Sequence, residues 1–310
     1  MPSLNVDVPI TSVFMVLYLG FAAANMVIFQ KNRKRNHKFL FSAILFGFSM
    51  ARVLTCIMRI VWATKQRDVK IAMTAQIFNS AGVLIVYLVN LIFAQRVLRA
   101  MHPKLGWSAA LSHAFHVCYG LLFLTLVMVI SASVLMFYTL NPNTIQACVD
   151  CQRAATIFLF LLTTAPFLIL AASFLLPRST SREEMFGVGT MKGKAVLLAV
   201  QAGLATILSG TRLGTTWQAP RPINNPAWWQ SRATFYCFGF MLEIIILAIF
   251  VFGRVDKRFH VPNGSAKRRS YMMEPLPEQG GSIGSENTKR KSYMMENLSE
   301  KNGNIGSESA

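Results

Sequence analysis

Charged residues are scarce in this 310-residue chain: they make up 14% of it, whereas hydrophobic residues make up 53%. Soluble domains average about 25% charged residues, so the composition excludes an ordinary soluble globular protein. Acidic residues are the rarest group, with 13 Asp and Glu against 31 Lys and Arg. Because the basic residues lie mostly between apolar runs and in the tail, we interpret them as signals of membrane topology and predict no nucleic-acid partner.

Motifs for catalysis, nucleotide binding and metal binding are also missing. The loop GVGTMKGK (187–194) contains closely spaced glycines, but their spacing does not match GxxxxGK[ST], and Ala195 follows the lysine. His113 and His116 are three residues apart, yet no Asp or Glu stands near them. We therefore predict no enzymatic activity, no metal site and no cofactor.

Seven apolar runs dominate the chain, each long enough to cross a hydrocarbon core about 30 Å thick. The runs are continuously apolar, unlike the alternating strands of a membrane β-barrel. We predict an all-α membrane protein, a bundle of seven transmembrane helices. The predicted spans are 10–29, 39–62, 71–93, 107–140, 154–176, 195–212 and 231–252.

The distribution of basic residues predicts the orientation. The segment 31–38 after the first span holds five Lys or Arg, and more basic residues lie in 94–107 and 177–194. The positive-inside rule places these loops in the cytoplasm, with the N-terminus outside. The first apolar run has no basic residue before it, so we interpret it as a span and not as a cleavable signal. We expect a multi-pass protein of the plasma membrane or an endomembrane, in contact with membrane lipids.

Three parts follow from this topology: a short extracellular N-terminus (1–9), the transmembrane domain (10–252) and a cytoplasmic tail (253–310). The tail is basic and poor in aliphatic residues, so we expect it to be disordered. It contains a duplicated motif, in which KRRSYMME (267–274) recurs as KRKSYMME (289–296). We interpret the repeat as a duplicated linear motif without a packing role.

Ser270 and Ser292 follow basic residues in the two copies, which makes them candidate phosphorylation sites. A phosphate there would weaken the attraction of the basic tail to an anionic inner leaflet. The alternative is a solvated tail without this role. The tail and the loop 177–194 are the surfaces on which we expect a cytosolic partner.

Charges inside the spans point to a polar centre. Along the helix axis, Arg52 of span 2 is about 21 Å from Lys38 and Glu243 of span 7 is about 16 Å from Arg254, the basic residues at the cytoplasmic ends. The two lie within about one turn of the same depth, so they can form an ion pair. Two interpretations are open: the pair fixes helix packing, or it belongs to a centre that binds an anionic ligand, a lipid headgroup or a proton. Arg59, closer to the outer side, is expected to snorkel to the headgroups.

Span 3 carries polar residues on one helical face, with Val83 between them. Amide side chains in lipid would lack partners, so this face should point into the bundle. Hydrogen bonds between helices and the lining of a ligand cavity both fit the pattern. With Arg52 and Glu243, the predicted polar centre comprises Gln76, Asn79, Tyr87 and Asn90.

Five cysteines are present, and two of them form a CVDC sequence in the segment 141–153. We expect this segment to be a loop on the outer, oxidising side of the membrane. A disulfide between Cys148 and Cys151 would tighten the turn into span 5.

Several stretches resemble a known family. RIVWA (59–63), the segment from Ile77 to Trp107, PAWWQSRATFY (226–236) and GRVDKRFHVPNG (253–264) resemble a fungal family of seven-span integral membrane proteins of unknown function. Some of its members are labelled as family-C-like G-protein-coupled receptors. About nine residues precede the first span, so we expect no agonist capture by a large extracellular module.

The end of span 7, with Glu243 and the D-x-RF stretch at 256–259, also looks like the related fungal lipid-translocating exporter and drug-resistance proteins. The resemblance implies a receptor-like or sensor role with a small or lipid-like ligand. The alternative is a translocator or exporter of lipids or amphiphiles, and a membrane scaffold is a third option.

Overall fold

Seven long helices, each apolar enough to cross a membrane, form the body of the protein. The computed structural model describes residues 4–35, 39–65, 68–176, 184, 186–218, 227, 231–262 and 265–271. The long helices are α1 (Leu4–Lys34), α2 (Phe41–Thr64), α3 (Val69–Met101), α5 (Ala109–Tyr138), α6 (Pro142–Leu175), α7 (Met191–Trp217) and a seventh helix, Arg232–Phe252. The described residues contain no strand, so the predicted all-α class with seven apolar helices is confirmed.

Shorter elements complete the chain. The turn α4 (Pro103–Gly106) lies between α3 and α5. The seventh helix consists of α8 (Arg232–Phe235), a π-helical turn (Tyr236–Met241) and α9 (Leu242–Phe252). Two single turns follow it, α10 (Val255–Arg258) and α11 (Ser265–Arg268).

Polar residues just before the apolar runs set where several helices begin. The side chains of Ser108, Asn141, Thr190 and Ser231 each accept a hydrogen bond from a backbone N–H in the first turn of the next helix. Such caps satisfy donors that have no partner within the helix. The cap at Asn141 corrects one expectation: the segment 141–153 is not a loop, because α6 already begins at Pro142.

Helix α3 is the central helix of the bundle. It packs against α2, α5, α6 and α7, while α1 packs against α2 and α9. In its most apolar window 59% of the residues are buried, against 22–39% in the other six long helices. Val86, Val89 and Val97 are fully buried, as expected for a helix with neighbours on several sides.

The compact unit extends beyond the seventh helix. Residues 1–271 form one unit, and Val255, Phe259 and Tyr271 are buried within it. The ring of Phe259 stacks on Phe93 of α3, with centroids 4.5 Å apart. The expectation of a disordered tail from Gly253 is therefore wrong for its first part, because these apolar side chains find partners on the bundle. Residues 272–310 lie outside the described residues.

Candidate functional site

Arg52 lies within α2 and is fully buried despite its charge. Its Nη2 is 2.5 Å from Oε1 of Glu243 in the seventh helix, which forms a direct ion pair. Its Nη1 donates a hydrogen bond to the backbone oxygen of Asn79 in α3 at 3.1 Å. Arg52 thus connects α2 to α3 and to the seventh helix.

Glu243 is buried as well and receives contacts from three other helices. Besides its ion pair with Arg52, its Oε2 accepts a hydrogen bond from the hydroxyl of Tyr18 in α1 at 3.0 Å. Its Oε1 lies 3.9 Å from Nη2 of Arg212 in α7. A buried carboxylate is tolerated only when it is paired and hydrogen-bonded, and these partners supply that.

Arg212 gives this site an excess of positive charge. Arg212 is the last residue of the predicted sixth span, 195–212, but α7 continues to Trp217 and carries Arg212 inside the helix. Its Nη2 donates to the backbone oxygen of Asn79 at 3.1 Å. We call Arg52, Arg212 and Glu243 the charged centre. Its two guanidinium groups share one carboxylate, so one positive charge is not compensated within it.

A cavity of about 400 Å³ opens beside the charged centre. Gln76 and Asn79 of α3, Gln152 of α6 and several Ser and Thr hydroxyls provide its polar lining, and Phe238 is among its apolar lining residues. Arg212 is the only charged residue among the described residues that line it. Its volume falls in the range of cavities that hold small ligands, about 300–1,000 Å³.

The polar stripe of α3 is divided between two environments. Gln76, Asn79 and Tyr87 line the cavity, together with Val83. Asn90 does not line it; it is buried further along α3, and no described residue forms a hydrogen bond with its side-chain amide. The structure therefore brings three of the four predicted stripe residues to the cavity beside the charged centre and leaves Asn90 apart.

A second ionic group, which we call the outer cluster, comprises Asp7, Arg59 and Tyr236. Nη2 of Arg59 lies 3.3 Å from Oδ1 of Asp7, and its Nε donates to the hydroxyl of Tyr236 at 3.1 Å. The Tyr236 hydroxyl donates to Asp7 Oδ1 at 2.8 Å. The guanidinium of Arg59 also lies over the ring of Phe235, 4.0 Å from its centroid.

The outer cluster adds to what the sequence suggested for two residues. Arg59, which we expected to snorkel to the headgroups, is paired with Asp7 and Tyr236, and its side chain is 15% exposed. Sequence reasoning also missed Asp7, which lies in the segment 1–9 that we expected to precede the first span. In the structure α1 already begins at Leu4, and Asp7 is buried in its first turn.

The π-helical turn Tyr236–Met241 connects the two ionic groups along the seventh helix. Tyr236 belongs to the outer cluster, and Glu243 follows two residues after the turn. Phe238 and Gly239 within the turn line the cavity. π-Helical turns inside α-helices occur frequently at functional sites, which agrees with this position.

The remaining predicted site residues lie elsewhere. Cys148 and Cys151 are both free thiols within α6, so the structure contains no disulfide between them. Ser270 lies on the segment after the seventh helix and donates to Glu184. Ser292 lies outside the described residues.

Seven apolar helices around a buried charged centre are the features of a multi-pass integral membrane protein. The comparison with protein families adds the particular family. Residues 103–192 and 188–260 match a family described as a protein of unknown function, DUF3112. The two matches together span half of the chain, so the protein belongs to the DUF3112 family. No curated protein and no solved structure matches the chain.

Proposed function

We propose that this protein is a receptor-like or sensor membrane protein that binds a small or lipid-like ligand through an anionic group. Arg212 carries the proposal. It is the only charged residue among the described residues that line the cavity. Its distance to Glu243 is 3.9 Å, whereas Arg52 holds the same carboxylate oxygen at 2.5 Å. An anionic group in the cavity therefore has a guanidinium available for a bidentate contact.

The lining favours an amphiphilic ligand. The amide and hydroxyl groups around Gln76 and Gln152 can orient a polar headgroup. Phe235 and Phe238 can contact the apolar part of the same ligand. Ligand cavities in general combine an apolar wall with a few placed polar groups. A small anion with a short apolar part fits this lining, and so does a lipid headgroup.

The charged centre provides a route by which binding affects the bundle. A ligand anion on Arg212 changes the electrostatic balance at Glu243, which also holds Tyr18 of α1 and Arg52 of α2. A ligand shifts a conformational equilibrium only through different interactions with the two states. The contacts of Glu243 with three helices supply a basis for that difference. The signal would pass to a cytosolic partner on the loop 177–194 or the tail.

A translocator or exporter of lipids or amphiphiles is the alternative function, and the same cavity would hold the headgroup during transfer. A membrane scaffold would need no ligand at all. The resemblance to fungal receptor-labelled and exporter proteins supports the first two options. A receptor or sensor predicts ligand binding, a translocator predicts lipid flux as well, and a scaffold predicts neither.

Thermal unfolding of the full chain in lipid nanodiscs tests the proposed ligand class. The probes are lysophosphatidic acid, which carries an anionic headgroup, and lysophosphatidylcholine, which is zwitterionic. A bound ligand stabilises the folded state by about 2.7 kcal/mol at one hundred times its Kd. We expect lysophosphatidic acid to raise the midpoint of unfolding more than lysophosphatidylcholine does.

A matched pair of variants localises the effect. The side chains of Arg212 and Arg153 are both 29% exposed, but only Arg212 lines the cavity. We expect Arg212→Gln to lose the stabilisation by lysophosphatidic acid and Arg153→Gln to keep it. Equal stabilisation of both variants would contradict the proposal. Transfer of a labelled lipid between leaflets of proteoliposomes, lost in Arg212→Gln, would favour the translocator.

A further inference from the structure

The segment after the seventh helix folds back onto the bundle. The backbone N–H of Val188 donates to the carbonyl oxygen of Lys257 at 3.0 Å. Arg96 of α3 donates a hydrogen bond to the backbone oxygen of Phe259. The last described residue, Tyr271, is buried. The described part of the first motif copy, residues 267–271, therefore belongs to a packed surface.

Tyr271 occupies a socket, which we define by Trp107, Glu184 and Phe186. Its ring packs edge-on against Trp107, with centroids 5.5 Å apart, and against Phe186 at 5.3 Å. Burial raises the pKa of Tyr271, so the ring is neutral at physiological pH. The socket is connected to α3, because the backbone N–H of Glu184 donates to the carbonyl oxygen of Ala100 at 3.1 Å.

The carboxylate of Glu184 holds the motif at two adjacent points. Its Oε1 accepts a hydrogen bond from Oγ of Ser270 at 2.9 Å, and its Oε2 accepts one from the backbone N–H of Tyr271 at 2.8 Å. Hydrogen bonds to an ionised group are stronger than neutral ones. This pair of contacts therefore makes a large contribution to docking, and it depends on a hydroxyl at Ser270.

The sequence around Ser270 suits modification. Arg268 and Arg269 precede it and are exposed in the structure, and basic residues at these positions are what basic-directed kinases recognise. The charge distribution also predicts that this end of the bundle faces the cytoplasm, where ATP is present. Local opening of the segment would expose the serine to an enzyme.

We propose that Ser270 is a phosphorylation site and that its phosphate releases the segment 265–271 from the socket. Oγ of Ser270 attacks the γ-phosphorus of ATP, and a new O–P bond forms. The bond from the γ-phosphorus to ADP breaks, ADP leaves, and the hydroxyl proton passes to the base of the kinase. The phosphoserine can no longer donate its hydroxyl proton to Glu184.

Charge decides the direction of the change. The phosphate adds about 1.5 to 2 negative charges at pH 7, and they stand where Ser270 Oγ is 2.9 Å from the Glu184 carboxylate. Two arginines of α3 lie near Tyr271, and both already have partners: Arg99 donates to the carbonyl oxygen of Gly106 and lies over the ring of Trp107, and Arg96 donates to the backbone oxygen of Phe259. Arg268 and Arg269 are exposed, so solvent and salt screen their attraction for the phosphate. Phosphorylation therefore replaces an attraction with a repulsion, and the undocked segment becomes favoured.

Hydrogen exchange of the full chain in nanodiscs, after treatment with a basic-directed kinase and ATP, tests this proposal. Mass spectrometry measures the occupancy of Ser270 and Ser292 and the exchange of peptides from 265–271. We expect the Tyr271 amide to exchange roughly tenfold faster or more once Ser270 carries a phosphate, because loss of charged hydrogen bonds has at least that effect. Exchange that is unchanged or slower would overturn the proposal, and so would modification of Ser292 without Ser270.

The second motif copy supplies the control. Ser292→Ala leaves only the proposed site, and we expect it to behave like the parent. Ser270→Ala, phosphorylated on Ser292 alone, should keep the slow exchange of the Tyr271 amide. Faster exchange in that variant would assign the effect to general charge on the tail and would contradict a role for Ser270.

Charge reversal at Glu184 distinguishes repulsion from simple bulk. In Glu184→Lys we expect the unmodified segment to exchange faster than in the parent and the Ser270-phosphorylated segment to exchange more slowly than the unmodified one. If this variant does not fold, Glu184→Gln should show a smaller acceleration by phosphate than the parent shows. A phosphate effect of the same sign and size in parent and variant would overturn the electrostatic mechanism.

Discussion

Gly82 of α3 lies directly against the guanidinium group of Arg52. A Cβ atom at this position would stand 3.3 Å from Cζ of Arg52 and 3.4 Å from its Nε. Small residues let helices approach closely in membrane bundles. Here the missing side chain leaves room for a buried charge, which explains a glycine within the most buried helix of the bundle.

We expect Gly82→Ala to destabilise the protein. Alanine is the better helix former by about 1 kcal/mol, but a Cβ at 3.3 Å requires the Arg52 guanidinium to shift, and its contacts with Glu243 and Asn79 oppose that shift. Overpacking of this kind costs about 1–3 kcal/mol. The midpoint of thermal unfolding in nanodiscs should therefore fall.

Gly120→Ala is the control, because Gly120 is exposed on α5 and a Cβ there would meet nothing within 4 Å. Its midpoint should stay at or above that of the parent. An equal decrease in both variants would show that the contact with Arg52 is not responsible.

Removal of one charge from the charged centre should have unequal effects at its two ends. Glu243→Gln leaves the fully buried guanidinium of Arg52 and the partly exposed one of Arg212 without a carboxylate. Loss of the partner of a buried charge costs about 3–5 kcal/mol. Arg52→Gln leaves Arg212 to pair with Glu243, so it should cost less. Membrane abundance of tagged variants, with the midpoint of unfolding, measures this order. If both single variants are as abundant as the parent, the ion pair is not structural.

Exchange of the two charges, in Arg52→Glu with Glu243→Arg, should restore only part of the lost abundance. The pair itself is remade, but the new arginine would face Arg212 at the place where Oε1 of Glu243 is now 3.9 Å away. Like charges at that distance repel each other. Full recovery would show that Arg212 is not coupled to the pair.

The outer cluster predicts a large effect of Asp7→Asn. The change removes the carboxylate that pairs with Arg59 at 3.3 Å and with Arg232 at 3.5 Å. Hydrogen bonds to charged groups contribute about 1.5–3 kcal/mol, so the midpoint of unfolding should fall clearly. Asp150→Asn is the control, since Asp150 forms an ion pair of 3.2 Å with Arg153 but is 57% exposed. That variant should change stability by less than about 0.5 kcal/mol.

Gly187 predicts a local effect on the docked segment. Its φ of +58° lies in the left-handed region, and a Cβ there would collide with the backbone oxygen of Arg258. We expect Gly187→Ala to push away the segment 255–271, with faster cleavage by trypsin at Arg268 and Arg269. Gly189→Ala is the control: Gly189 also has a positive φ, but a Cβ there would meet nothing within 4 Å. Cleavage of that variant should stay closer to the parent rate.

The position of Gly187 also explains why the loop 187–194 contains a glycine there although it lacks a nucleotide-binding motif. The glycine is needed because the loop passes close to the backbone of α10, not because a phosphate approaches it. The spacing of the glycines in the sequence is enough to exclude a nucleotide-binding motif. The close approach of Gly187 to Arg258 joins two segments about 70 residues apart, so neither segment predicts it alone.

The sequence by itself determined the seven helices, because the hydropathy and length of an apolar run are local properties. Both can be compared directly with the thickness of the bilayer. The sequence also put Arg52 and Glu243 at one depth, since the rise of a helix converts residue number into distance. Only the tertiary structure brought Arg212 to this pair and Asp7 to Arg59, kept Asn90 out of the cavity lining and docked Tyr271. Those outcomes depend on the rotation of each helix and on contacts between distant segments, which no local pattern of polarity specifies.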